Sequence, residues 1–121
     1  MRFLWSTLRV NNLDESIRFY EEVLGLSVSR RFGSGSGNEI AFMGGAGATE
    51  IELIADGESH ATAVGRDISW GFEVDSLEEK IALLNELGIN FEGPRSPNAS
   101  IRFIFFEDPN GMRIQFAEHL E

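Results

Sequence analysis

Two stretches of this chain, LRVNNLDESIRFYEEVLGLSV (residues 8–28) and FEVDSLEEKIALLNELGINF (residues 72–91), share one pattern and decide the fold. Val10 aligns with Val74, Leu13 with Leu77 and Ile17 with Ile81, each 64 residues apart. Leu24-Gly25-Leu26 then aligns with Leu87-Gly88-Ile89 at 63, so one residue drops out within the helix. Each stretch reads as a strand end, a helix and the start of the next strand. The helices open at Asx caps near Asn11 and at Asp75, with acids at Asp14 and Glu78 that suit the exposed amides of a helix start. Apolar residues recur at helical spacing, Leu13, Ile17, Tyr20 and Leu24 in the first and Leu77, Ile81, Leu84 and Leu87 in the second. Gly25 and Gly88 supply the stops.

Outward from the helices, period-2 stretches place the strands. FLWSTLRV (3–10) leads into the first helix, and LSVSRRF (26–32), EIAFMG (39–44) and ATEIELIA (48–55) follow it. DISWGFEV (67–74) leads into the second, and a short NFEG (90–93), ASIRFIFFE (99–107) and MRIQFAE (112–118) follow that one. Asp108-Pro109-Asn110-Gly111 is a turn signal. The expected fold is α+β, two tandem βαβββ units forming curled mixed sheets with a ligand cleft. The units span 1–56 and 67–121 around a connector, 57–66, within one structural domain. The glycines of GSGSGN (33–38) suggest a phosphate cradle, but no helix follows them to offer an anion-binding N-terminus, so the stretch reads as a hairpin loop able to cover a site.

Composition narrows the function. A net charge of −10 argues against nucleic acid, which needs a concentrated Lys/Arg surface. No apolar run approaches the roughly 20 residues of a membrane span, and no export signal is seen, so the expected location is cytoplasmic. The absence of cysteine rules out disulfides, thiolate metal sites and a cysteine nucleophile.

Alternation along the strands collects a mixed face. In the first unit it holds Trp5, Thr7 and Arg9 with Glu50, Glu52 and Ile54. In the second it holds Ser69, Gly71 and Glu73 with Arg113, Gln115 and Ala117. On ASIRFIFFE both faces are apolar, and the pattern leaves open whether Arg102 or Phe103 faces the cleft.

The tandem βαβββ plan, with LRVNNLDESIRFYEEVLGL and FFEDPNGMRIQF, resembles the vicinal oxygen chelate superfamily: glyoxalase I, bleomycin-resistance proteins, fosfomycin-resistance enzymes and extradiol dioxygenases. The resemblance implies a cleft in which metal-using members place one ligand on the first and last strand of each unit. Carried over residue by residue, those positions are Trp5, Glu52, Ser69 and Gln115. The repeat offsets make Trp5 the twin of Ser69 and Glu52 the twin of Gln115. A divalent metal needs several N or O donors at about 2.0–2.2 Å. Tryptophan has no lone pair to give, serine and an amide are weak ligands, and only Glu52 is a good one. His60, in the connector, and His119, near the end of the last strand, do not repair the set.

The expectation is therefore no metal cofactor, with a divalent metal as the alternative. The main reading is a binding protein for an aromatic or cationic small molecule, held by Trp5, Thr7, Glu52, Ser69, Glu73, Arg113 and Gln115. The alternative is a lyase or isomerase with Glu52 as general base, unless Arg9 or Arg113 claims that carboxylate. A third reading is a cleft filled by Trp5 in an assembly unit. By the resemblance the chain forms a homodimer, with a monomer as the alternative.

Overall fold

A computed structural model describes residues 1–33, 35, 37–45, 47–56 and 62–120. The chain divides into two compact units, Met1–Val64 and Gly65–Glu121. The loop residues 34 and 36, the connector residues 57–61 and hence His60 lie outside the described residues.

The first unit runs β1 (Trp5–Arg9), α1 (Leu13–Glu22), β2 (Val28–Gly33), β3 (Glu39–Met43) and β4 (Glu50–Ala55). The second repeats it with β5 (Ser69–Glu73), α2 (Leu77–Glu86), β6 (Glu92–Asn98), β7 (Ile101–Glu107) and β8 (Arg113–His119). The sheets have the orders β1-β4-β3-β2 and β5-β8-β7-β6, parallel only at β1/β4 and β5/β8. This is the α+β, tandem βαβββ architecture that the repeat implies.

Each helix starts one residue later than the sequence suggests. Asn12 accepts from the Glu15 amide at 2.9 Å and Ser76 from the Glu79 amide at 3.2 Å. A cap oxygen serves the amide three residues on, so Asn12 and Ser76 are the caps, not Asn11 and Asp75. Gly25 and Gly88 end the helices at φ +71° and +72°, where a Cβ would be strained. The first helix buries Leu13, Ser16, Ile17 and Tyr20, and Val23 replaces Leu24 as its last buried residue. The second buries only Leu77 and Leu84, and Leu87 is exposed.

One helix-ward face of each sheet forms the core. In β4 the alternation is strict, with Ile51, Leu53 and Ala55 buried between half-buried Glu50, Glu52 and Ile54. In β8, Ile114 and Phe116 are buried while Arg113, Gln115 and Ala117 are half-buried. The last strand is pinned by its turn. Asp108 is buried, its carboxylate accepting from the amides of Asn110 and Met112, each at 2.8 Å, and from Asn110 Nδ2 at 3.0 Å.

The strand expected at NFEG instead spans Glu92–Asn98 and carries two prolines. It pairs with β7 only at Glu92, Arg95 and Asn98, with register shifts between them. Proline withholds the amide that a regular ladder needs, which is why this outer strand pairs intermittently. The ambiguous β7 is settled by its register. Phe103 and Phe105 oppose Ala117 and Gln115, and Arg102, Ile104 and Phe106 oppose Glu118, Phe116 and Ile114 on the helix side.

Candidate functional site

Away from the helix, each sheet presents an open face whose rows follow from the strand registers. In the first unit, Trp5 is level with Glu50, and Thr7 is level with Glu52 and then Phe42 and Arg30. Arg9 is level with Ile54, Ile40 and Phe32. The second unit repeats the rows: Ser69 with Arg113 and Glu107; Gly71 with Gln115, Phe105 and Glu92; Glu73 with Ala117, Phe103 and Arg95. Alternation along the first and last strands thus places every expected site residue on one of these two faces.

Contacts then assign the groups to partners. Glu52 accepts a hydrogen bond from the Thr7 hydroxyl, and its other oxygen has no partner among the described residues. Neither arginine suspected of claiming Glu52 does so. Arg9 pairs with Asp56 at 3.5 Å, and Arg113 pairs with Glu92 at 3.2 Å. Glu73 is engaged by His119, whose Nδ1 meets its carboxylate, so this histidine, at the end of β8, shares the face.

Trp5 is the residue expected to stack on an aromatic or cationic molecule from outside. The chain itself supplies a cation nearby. The Arg30 guanidinium lies 3.9 Å over the Phe42 ring and 6.0 Å from the Trp5 ring, and it pairs with Glu50 at 3.2 Å. Trp5 meets Phe42 edge-on at 5.2 Å, and Phe32 stacks along Phe42 at 6.3 Å. Glu50 also accepts from Ser29. Trp5 remains 41% exposed, so it does not fill the face.

Arg30, Phe42, Glu92 and Phe105 were missed in the linear reading, and together they form a device that the repeat preserves. Arg113 lies 4.0 Å over Phe105 as Arg30 lies over Phe42, and each guanidinium is tied to a glutamate across the ring. The polarity is exchanged. The first unit has its cation on β2 and its acid on β4, and the second has its acid on β6 and its cation on β8. Phe42 and Phe105 stand 63 residues apart, and that offset was the available signal.

The second unit also contains a cavity of about 440 Å³ beside this bridge, bordered by Phe91, Glu92, Phe105, Glu107 and Arg113 among others. Its size falls in the range of small-molecule pockets, roughly 300–1,000 Å³.

The four positions at which the resemblance places metal ligands hold a poor donor set. Trp5 has only an indole N–H to donate, Ser69 a neutral hydroxyl and Gln115 an amide; Glu52 alone is a carboxylate, already held by Thr7. Among the described residues no three His, Asp or Glu side chains are grouped to hold a metal ion. These residues do not fit a divalent metal.

Comparison with known proteins agrees with the architecture. The family model for the Glyoxalase/Bleomycin resistance protein/Dioxygenase superfamily matches residues 2–116. The lactoylglutathione lyase of Haemophilus influenzae is 35% identical over 98% of this chain and 93% of its own length. The trypanothione-dependent glyoxalase I of Leishmania major superposes with a TM-score of 0.87 at 24% identity, covering 98% of this chain and 86% of that one, a likeness of fold. A glyoxalase family protein of Bacillus cereus superposes with a TM-score of 0.82 at 26% identity, covering 100% of this chain and 95% of that one. Among the described residues, no helix is long and apolar enough to cross a membrane.

Proposed function

We propose that this chain, which belongs to the Glyoxalase/Bleomycin resistance protein/Dioxygenase superfamily, binds a small molecule on the open faces of its sheets without a metal ion. The observation that carries this reading is the state of the polar groups at the four ligand positions. The indole N–H of Trp5, the hydroxyl of Ser69, the amide of Gln115 and one oxygen of Glu52 have no partner among the described residues. Such groups beside the aromatic rings of Phe42 and Phe105 make a surface suited to hydrogen bonding and stacking. Thr7 orients Glu52, while Arg113 and Glu73 act within their pairs with Glu92 and His119.

Native mass spectrometry of freshly purified protein, with elemental analysis of the same sample, tests this. The expected result is a bound organic molecule and no stoichiometric metal; one divalent ion per site would overturn metal independence. A Trp5→Ala variant that kept the affinity for the co-purified molecule would remove Trp5 from the binding role.

A second reading is favoured by the relative named lactoylglutathione lyase and by the fixed orientation of Glu52. In it, Glu52 is the general base of a lyase or isomerase. Turnover of lactoylglutathione would be measured for the wild type and for Glu52→Gln. Turnover that survives the substitution refutes the assignment.

We also read the protein as a cytoplasmic homodimer. Each sheet ends in outer strands, β1 and β2 or β5 and β6, and outer strands invite cover. Light scattering after size exclusion distinguishes dimer from monomer.

A further inference from the structure

The two units differ at a pair of twinned positions. Thr7 donates to Glu52 in the first unit, but its twin in the second is Gly71, which has no side chain to offer Gln115. A Cβ built on Gly71 would stand 3.1 Å from Gln115 Oε1. That is tighter than an ordinary contact, so the glycine leaves the amide room to lie against β5. Gln115 is half-buried and its side-chain amide has no hydrogen-bond partner among the described residues. Leaving such an amide unmatched is costly when water is displaced, so whatever covers it must satisfy both its N–H and its C=O.

The row that holds Gln115 is aromatic, and the charges around it are paired or of opposite sign. Phe105 is the cross-strand neighbour of Gln115, and Phe103 meets Phe105 edge-on at 5.6 Å. Arg113, the adjacent charge along β8, is committed to Glu92. Two charges without partners among the described residues, Glu107 and Arg95, lie one row to either side of Gln115 and carry opposite signs.

We propose that the open face of the second unit reads the amide edge of a flat, uncharged ligand, a lactam or aromatic carboxamide, by reciprocal pairing with Gln115. Gly71 provides the clearance, and the adjoining cavity at Phe105 and Arg113 holds the remainder of the molecule. A carboxylate offers only acceptors and an amidinium only donors, whereas Gln115 presents one of each. This inference rests on the small-molecule reading and names the ligand class for this face.

The test uses three probes of one shape: benzamide, benzoate and benzamidine. Each is titrated into the full chain while the Gln115 side-chain amide and Gly71 backbone resonances are followed by NMR. Benzamide is expected to bind about tenfold more tightly than either charged analogue, the ratio expected when one buried hydrogen-bonding group is left unmatched. Gln115→Glu should transfer the preference to benzamidine. Gly71→Ala, which crowds the amide and leaves the sheet face otherwise intact, should weaken benzamide alone.

Preference for benzoate would assign the face to Arg95, and preference for benzamidine would assign it to Glu107. Either result overturns the amide assignment while leaving small-molecule binding standing. Equal binding of all three, or no perturbation of Gln115 by any, also overturns it. A bound metal in the mass-spectrometric experiment would instead overturn the reading beneath it.

Discussion

Replacing Arg30 by methionine tests whether the first unit supplies its own cation to the face on which Trp5 stands. Methionine keeps much of the stem and removes the guanidinium. The contact over Phe42, at 3.9 Å, contributes about 0.5–1 kcal/mol at a partly exposed site. The pair with Glu50 is asymmetric, since the Arg30 side chain is 46% exposed and that of Glu50 only 14%. Solvent screening through the exposed partner limits the pair itself to about 0.2–1 kcal/mol. The variant should therefore lose about 0.7–2 kcal/mol. With a urea slope of about 1–3 kcal/mol per molar, the unfolding midpoint should fall by roughly 0.2–2 M. Combining Arg30→Met with Glu50→Gln should cost less than the sum of the single changes, because the two share one interaction. Binding should move in the other direction. With the internal cation gone, Phe42 and Trp5 become available and Glu50 keeps only its bond from Ser29 among the described residues, so benzamidine should gain affinity for the first unit. A midpoint unchanged within error, strict additivity, or no gain in benzamidine binding would refute the account.

Three further outcomes are expected. Thr7→Val removes the donor that fixes Glu52 on an exposed strand, so affinity for the co-purified molecule should fall by about tenfold in calorimetry. Its melting temperature should change little; unchanged affinity would show that Glu52 needs no orientation. Asp108→Ala removes three hydrogen bonds from the β7–β8 turn, two of them from buried Asn110, a loss of about 2–4 kcal/mol. Calorimetric melting should then drop by about 8 °C or more, and a drop below about 3 °C would contradict this role of the turn. Titration with Ni, Zn, Mn or Fe(II) should produce no saturable thermal stabilisation. A rise of more than about 5 °C with one of them would show that the donor set has been misjudged.

The same molecule shows where linear reasoning stops. Trp5, Thr7, Glu50 and Glu52 were placed on one face by period-2 alternation alone, because a strand offers its side chains only two directions. Arg30 escaped that treatment. It lies in SRRF, where two adjacent arginines point to opposite faces and a register shift falls between Val28 and Arg30. Its neighbour Arg31 turns to Glu39 and Asp14 instead, and those acceptors raise the pKa of its guanidinium. Phe103 and Phe105 were undecidable for a different reason, since both faces of IRFIFFE are apolar and alternation carries no contrast. His119 was set aside by its distance from the last strand's pattern, yet that strand extends to it and brings it to Glu73.

Read alone, the sequence determined the repeat, the two βαβββ units, the helix-ward core and the membership of the first and last strands in one mixed face. These follow from local periodicity, which is written residue by residue. Pairing was decided only in three dimensions: Arg30 with Glu50, Arg113 with Glu92, Thr7 with Glu52, and Gly71 as the clearance beside Gln115. A charge's partner depends on strand order and register, and long side chains reach across rows to neighbours far away in the chain. That is why the residue types at the four ligand positions were evident from the start, whereas which of them remain free to meet a ligand was not.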